Sequence, residues 1–212
     1  MNFCQTHKSV ILSGFLFLIA IAPLSSHAQS PDQSTDTGMV NASINEKDDL
    51  QIIPSKSSSE KDFDFFDGSW NVTGKRLKAR LHNSHEWVAY TAKLKCSKII
   101  QGFGNEEPYF QKVNGRNFEA FTLRLFDAKT KLWNIYYANP NYVSMETPQV
   151  GSFENNIGLF YSKDTWEGKK IIIVYKWDRT NPDKPTMSQA FSADNGKTWE
   201  WNLHQQFEKT GG

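Results

Sequence analysis

The sequence predicts an all-β protein whose folded part is a single antiparallel β-barrel of nine or ten short strands. Apolar residues recur at a period of two far more often than at the spacing of a helix. Short turn signals separate these alternating runs, and the sequence shows no convincing amphipathic helix. We favour a barrel over a sandwich because a sheet that closes on itself leaves no exposed strand edge.

The predicted barrel opens with residues 63–81, FDFFDGSWNVTGKRLKARL. An aromatic and acidic lead-in runs into Gly68-Ser69-Trp70, and an alternating run follows. Gly68 is predicted to form the bend into the first strand, because glycine adopts the backbone angles of a tight turn without steric cost. Trp70 is predicted to fill the bottom of the barrel, since a buried tryptophan contributes a large apolar area.

The later strands are predicted from the same alternation, which is clearest in HEWVAYTAKLKCSKII, residues 85–100. Asn114-Gly115 is a strong hairpin signal, and Pro108 marks a strand edge or a bulge. After residues 85–100, the predicted strands are 106–113, 118–127, 132–139, 149–154, 157–162, 170–178, 186–192 and 198–208.

The chain divides into three predicted segments. Residues 1–28 are typical of a secretory signal peptide, with an apolar core and a small-residue cleavage pattern that ends at Ala28. Residues 29–60 are polar and are predicted to be a flexible tether, within which residues 50–53 could form a short arm against the domain. Residues 61–210 would form the barrel. We therefore expect an exported protein, periplasmic or secreted, with no membrane span after signal cleavage; an uncleaved anchor is the alternative.

Charge and cysteine content exclude some classes of partner and of covalent chemistry. Residues 29–212 contain 23 basic and 23 acidic residues, so their net charge is near zero. Nucleic acid is therefore not a predicted partner, because it would require a clustered basic surface. Cys96 is the one cysteine in this part of the chain, which excludes an internal disulfide. We predict that Cys96 is a buried apolar residue and not a reactive thiol.

The Gly68-x-Trp70 motif resembles the opening of the calycin superfamily, the barrels of lipocalins and fatty-acid-binding proteins. Residues 63–208 look more closely like a group of bacterial calycin-like barrels whose function is not known. FDFFDGSWNV, LRLFDAKTKLWNIYYAN and AFSADNGKTWEWN carry this resemblance. It implies the fold and not an activity. In lipocalins a basic residue stacks over the opening tryptophan, and Lys209 is the residue close to that position.

Residues 192–199, SADNGKTW, match the Asp-box pattern of sialidases and other secreted β-proteins. In the functional interpretation, this would be one blade of a glycan-processing propeller. Propellers repeat the motif from blade to blade, and here it occurs once. We therefore predict a structural turn in which Asp194 accepts hydrogen bonds from turn amides and Gly196 supplies a positive φ.

Motifs for catalysis and metal binding are sparse. His82, His85 and Glu86 lie together in HNSHEW, but a closed metal site needs further ligands, and His204 is the one other histidine after residue 28. We predict a solvated loop there, with no metal and no cofactor. The sequence lacks a phosphate loop, Cys-x-x-Cys, Gly-x-Ser-x-Gly and a paired-carboxylate pattern. Glu106 and Glu107 are the only candidate acid or base groups.

A ligand site is predicted from the strand faces, although one sequence does not say which face is inside. If Phe121, Leu123 and Leu125 together with Ile171 and Ile173 pack outward, then Arg124 points into the barrel and could anchor a carboxylate. The predicted ligand-binding residues are Arg76, Trp87, Arg124, Tyr136, Trp177 and Gln189. The tyrosine and tryptophan content suits a pocket for an apolar or ring-bearing ligand.

The first function hypothesis is a binding protein that holds a small apolar or amphipathic molecule with a polar head in the barrel. The second is an isomerase or cyclase that folds a small apolar substrate inside the cavity, which would need no recognisable motif. The third is a structural or interaction protein of the envelope with a filled barrel. The sequence predicts neither the oligomeric state nor the ligand.

Overall fold

The computed structural model describes residues 39–113, 115–145 and 147–210, and its centre is a closed antiparallel barrel of ten strands. Each strand from β3 to β12 pairs with the next along the chain, and β12 pairs with β3 to close the sheet. The predicted fold class is therefore confirmed. The barrel strands are β3 Gly68–Leu77, β4 Trp87–Ile99, β5 Gly104–Val113, β6 Arg116–Asp127, β7 Leu132–Ala138, β8 Gln149–Glu154, β9 Ile157–Trp166, β10 Lys169–Asp178, β11 Thr186–Ser192 and β12 Glu200–Lys209.

One end of the barrel is closed by aromatic side chains, as the sequence predicts. A short 3-10 helix, Asp64–Phe66, leads into Gly68, whose φ is 117°. Trp70 is 1% exposed, and its indole nitrogen donates a hydrogen bond to the carbonyl of Phe66 at 2.8 Å. The Lys209 ammonium lies 5.5 Å from the centre of the Trp70 ring. The remaining buried aromatic residues of this plug are Phe63, Trp133, Phe153, Phe160, Trp177 and Phe207.

A hairpin of β1 Ala42–Ile44 and β2 Leu50–Ile52 packs on the outer surface of the barrel. Its apolar side chains contact a cluster that includes Tyr161, Ile172 and Val174. Leu50 and Ile52 pack against the barrel, in agreement with the short arm predicted for residues 50–53. The paired strand Ala42–Ile44 lies in the part of residues 29–60 that was predicted only as a flexible tether. The predicted signal peptide, residues 1–28, lies outside the described residues.

The hairpin also explains an error in the predicted strand faces. Ile171 and Ile173 point into the barrel, where they pack with Phe191, whereas Ile172 and Val174 lie under the hairpin. β10 is therefore apolar on both faces, and alternation alone could not tell inside from outside. The prediction that Ile171 and Ile173 pack outward is wrong, although Arg124 does point inward.

The Asp-box forms a structural turn between β11 and β12. The Asp194 carboxylate accepts hydrogen bonds from the Ser192 hydroxyl at 2.7 Å and from the Thr198 amide at 2.9 Å, and Gly196 has a φ of 82°. Burial alone would raise the pKa of Asp194, but the hydrogen bonds from Thr198, Ser192 and Lys197 lower it to about 2. The predicted turn is confirmed. Separately, none of the helices in the described ranges is long and apolar enough to cross a membrane.

Candidate ligand-binding cavity

The barrel encloses a cavity of about 700 Å³ between the aromatic plug and the opposite, open end. This volume lies within the range of sites for drug-sized ligands. Residues of the β3–β4 loop, the β7–β8 loop and the β9–β10 turn surround its mouth, among them Arg80, His82, Asn141, Tyr142 and Glu167. The ten strands therefore hold a pocket whose floor is rigid and whose rim consists of loops.

Four of the six predicted ligand-binding residues line this cavity, namely Arg76, Arg124, Trp177 and Gln189. Trp87 and Tyr136 do not, and their prediction is corrected. Ile135 and Tyr137 line the cavity, so Tyr136 between them faces the other way. Trp87 lies on the outer face of β4, where its ring contacts the Lys75 ammonium at 5.1 Å.

Arg124 is 2% exposed and lies directly above the aromatic plug. The carbon at the centre of its guanidinium is 5.1, 5.2 and 5.3 Å from the ring centres of Phe63, Phe66 and Trp177. Arg124 points inward as predicted, and a carboxylate of the protein itself is its partner in the structure. Arg124 forms an ion pair with Glu107 and donates a hydrogen bond to the Asn105 side-chain oxygen at 2.9 Å.

The sequence predicts Glu107 only as a candidate acid or base. In the structure it is a buried partner of Arg124. It is 5% exposed, and Thr122 donates to its second oxygen at 3.4 Å.

Cys96 is buried as predicted, and burial raises the pKa of its thiol to about 12. It therefore remains a protonated thiol at neutral pH.

Arg76 and Arg80 form the positively charged part of the cavity wall, nearer the open end. Neither has an acidic partner within ion-pair distance among the described residues. The Arg80 guanidinium lies 5.3 Å from the ring centres of both Trp166 and Phe191. Burial lowers the pKa of Arg80, and the positive charge of Arg76 acts in the same direction. Glu200 interacts with Arg80 electrostatically but forms no ion pair with it. Among the described residues, two cations therefore face the cavity without an ion-pair partner.

Arg80 was missed because it lies beyond Leu77, the last residue of β3. The sequence does contain a pattern that could have identified it. Arg76, Lys78 and Arg80 occupy every second position of GKRLKARL. Continuing the strand alternation through this segment would have placed all three on the Arg76 face.

Four tyrosines line the middle of the cavity, Tyr90, Tyr109, Tyr137 and Tyr175. Burial raises the pKa of each hydroxyl, so all four are neutral hydrogen-bonding groups at physiological pH. Gly74 makes room for one of them, because a Cβ atom at this position would lie 2.4 Å from the Tyr90 ring. The Tyr90 hydroxyl in turn accepts a hydrogen bond from Gln205 at 3.0 Å.

The histidines of HNSHEW belong to the rim and the loop beside it. His82 contacts Glu167 at 2.7 Å across the mouth, and Lys78 pairs with Glu86 at 2.7 Å. His204 lies 2.8 Å from the Ser188 hydroxyl. Across the described ranges, no group of three or more His, Cys, Asp or Glu side chains is arranged to hold a metal ion.

Comparison with known proteins gives similarities among solved structures. No family model matches the sequence, and no curated protein matches it. Among solved structures, the chain is similar to the crystal structure of Rv2717c from M. tuberculosis, with 11% sequence identity and a TM-score of 0.44. That similarity covers 69% of this chain and 94% of the other.

Proposed function

We propose that this protein binds a small amphipathic molecule inside the barrel and holds its anionic head near Arg76 and Arg80. One observation carries the proposal: two arginines that form no ion pair with any described residue face a cavity of about 700 Å³ that is lined in part by tyrosine, tryptophan and phenylalanine side chains. The proposed ligand class is the one predicted from the sequence. The residues proposed to bind its anionic head are Arg76 and Arg80 and no longer Arg124.

The electrostatics of the two ends differ. At the floor, Glu107 neutralises Arg124, so this pair offers no net charge to a ligand. At the upper wall, a carboxylate or phosphate of the ligand would neutralise the charges of Arg76 and Arg80, which pair with no acidic side chain in the described part of the chain. The planar guanidinium suits such groups because its parallel N–H donors match their oxygens. Burial strengthens the attraction, since charges interact more strongly away from bulk water.

The apolar part of the ligand would contact the tyrosine and tryptophan side chains below the arginines. Aromatic side chains offer large contact areas, and their hydroxyl and indole groups add a few directed hydrogen bonds. The resemblance of Gly68-x-Trp70 to calycin barrels permits this function class without fixing it, and we place the chain in that group as part of the proposal. The predicted signal peptide supports an exported, periplasmic or secreted binding protein.

The first test is native mass spectrometry of the protein purified from its own host, followed by solvent extraction. We expect a co-purifying anionic small molecule. Titration with decanoate and with decan-1-ol then distinguishes the contribution of the anionic head to affinity from that of the apolar tail. Arg80→Gln should weaken decanoate binding by about 10- to 100-fold, the range of a hydrogen bond to a charged group, and should change decan-1-ol binding little.

Arg116→Gln is the matched control, because Arg116 is an exposed arginine on β6 that does not line the cavity. Equal decanoate affinities for the Arg80→Gln and Arg116→Gln proteins would contradict the proposed anchor. A protein that carries no small molecule and binds neither compound would contradict the binding function itself.

A further inference from the structure

Glu107 has hydrogen-bonding capacity that the described residues do not use. Its carboxylate receives an ion-pair contact from Arg124 on one oxygen and a long hydrogen bond, 3.4 Å, from Thr122 on the other. An ionised carboxylate can accept about four hydrogen bonds. Glu107 also lines the cavity, so its remaining acceptor positions are open to a ligand.

Stability alone does not account for a charged pair at this depth. Taking two charges out of water is costly, and a buried pair is often no more stable than apolar side chains of the same size. Arg124 and Glu107 are both buried and both line the cavity. A pair that stabilises little and faces the cavity favours a role in ligand recognition.

The cavity is consequently polarised along its length. At the upper end lie Arg76 and Arg80, which form no ion pair with any described residue and therefore favour an anion. At the lower end, the acceptor on Glu107 belongs to a neutral pair and favours an uncharged donor. An ammonium group would lose its hydration there without gaining a free counter-charge, which is unfavourable.

β10 runs along the cavity wall and gives a length for the probes. The Trp177 ring contacts the Arg124 guanidinium at the floor, while Tyr175, two residues earlier, interacts electrostatically with both Arg80 and Arg124. A strand rises about 3.3 Å per residue, so the backbones of these two residues are about 7 Å apart along the strand. The probes below therefore carry a rigid ring system of at least that length.

We propose that the ligand is a hydroxy acid, whose carboxylate meets Arg76 and Arg80 and whose hydroxyl donates to Glu107. This inference rests on the proposed function and adds the second polar group. It assigns Glu107 as the residue that distinguishes hydroxylated ligands from their unhydroxylated analogues. Discrimination of this kind is strong, because a ligand without the donor leaves a buried acceptor unpaired.

The test compares three probes that differ at one end: cinnamate, 4-hydroxycinnamate and 4-methoxycinnamate. In calorimetric titration we expect 4-hydroxycinnamate to bind at least about tenfold more tightly than the other two. Glu107→Gln should reduce that preference to near one. Arg80→Gln should weaken all three by a similar factor and leave the preference intact.

The outcomes separate the two proposals. Equal affinities for the three acids in the wild-type protein would overturn the hydroxy acid and leave the anion anchor standing. Failure of all three to bind would overturn the anchor and this inference together. Because Glu107→Gln leaves Arg124 unpaired and could fail to fold, its melting temperature is measured first; the wild-type comparison decides the question without it.

Discussion

Breaking the buried ion pair gives the sharpest test of the structure. Arg124→Met removes the partner of Glu107, which is 5% exposed. It also removes the hydrogen bond to Asn105 and the contacts of the guanidinium with the aromatic plug. Loss of one member of a buried pair typically costs about 3–5 kcal/mol. That is a large part of the roughly 5–15 kcal/mol that stabilises a typical domain.

The double variant Arg124→Met/Glu107→Leu distinguishes a charge effect from a packing effect. If desolvated charge causes the loss, removing both charges should restore stability to within about 1–2 kcal/mol of the wild type. Arg116→Met, on the same strand but exposed, should change stability by no more than about 0.5 kcal/mol. Urea unfolding followed by tryptophan fluorescence measures all four proteins.

Two results would refute this reasoning. A cost below about 1 kcal/mol for Arg124→Met would mean that Glu107 is solvated or finds another partner. A double variant no more stable than the single one would mean that the Arg124 side chain acts through packing with the plug, and that the charge of Glu107 is immaterial.

Two further predictions concern the cavity and the turn. Gly74→Val should displace the Tyr90 ring, which a Cβ would approach within 2.4 Å; we expect weaker ligand binding in calorimetry, while an unchanged affinity would contradict the close approach. The folded-state pKa of Asp194 is lowered to about 2, so its stabilising contribution is present above the unfolded value near pH 4 and is lost as the pH falls towards 2. Asp194→Asn should flatten that part of the stability profile in acid titrations, and an unchanged profile would assign the acid sensitivity to other groups.

The strands and turns could be predicted from the sequence because each depends on local chemistry. The ranges 132–138 and 149–154 match the predicted strands within a residue at each end. Period-two alternation marks a strand wherever one face is apolar, and Asp194 and Gly196 define their turn through contacts within a few residues. β9 was predicted too short, since residues 163–166 are mostly polar and resemble a loop.

The residues that line the cavity could be predicted from the sequence only in part. Arg76, Arg124, Trp177 and Gln189 were identified because alternation places residues on one face once that face is chosen. Trp87 and Tyr136 were assigned to the wrong face. Glu107 was noticed as an acid but not as the partner of Arg124, because the two are 17 positions apart and meet only through the pairing of β5 with β6.

The sequence by itself determined the all-β class, the strand rhythm, the Asp-box turn and the tryptophan that closes one end, all of which follow from backbone periodicity and short-range turn chemistry. The tertiary structure decided which face of each strand lies inside. On β10 both faces are apolar, and only the outer hairpin shows that Ile172 is covered from outside while Ile173 faces inward. It also decided which charges are neutralised. The pairing of β5 with β6 brings Glu107 to Arg124, whereas Arg76 and Arg80 form no ion pair with any described residue. Charge pairing across strands depends on register that no single strand encodes.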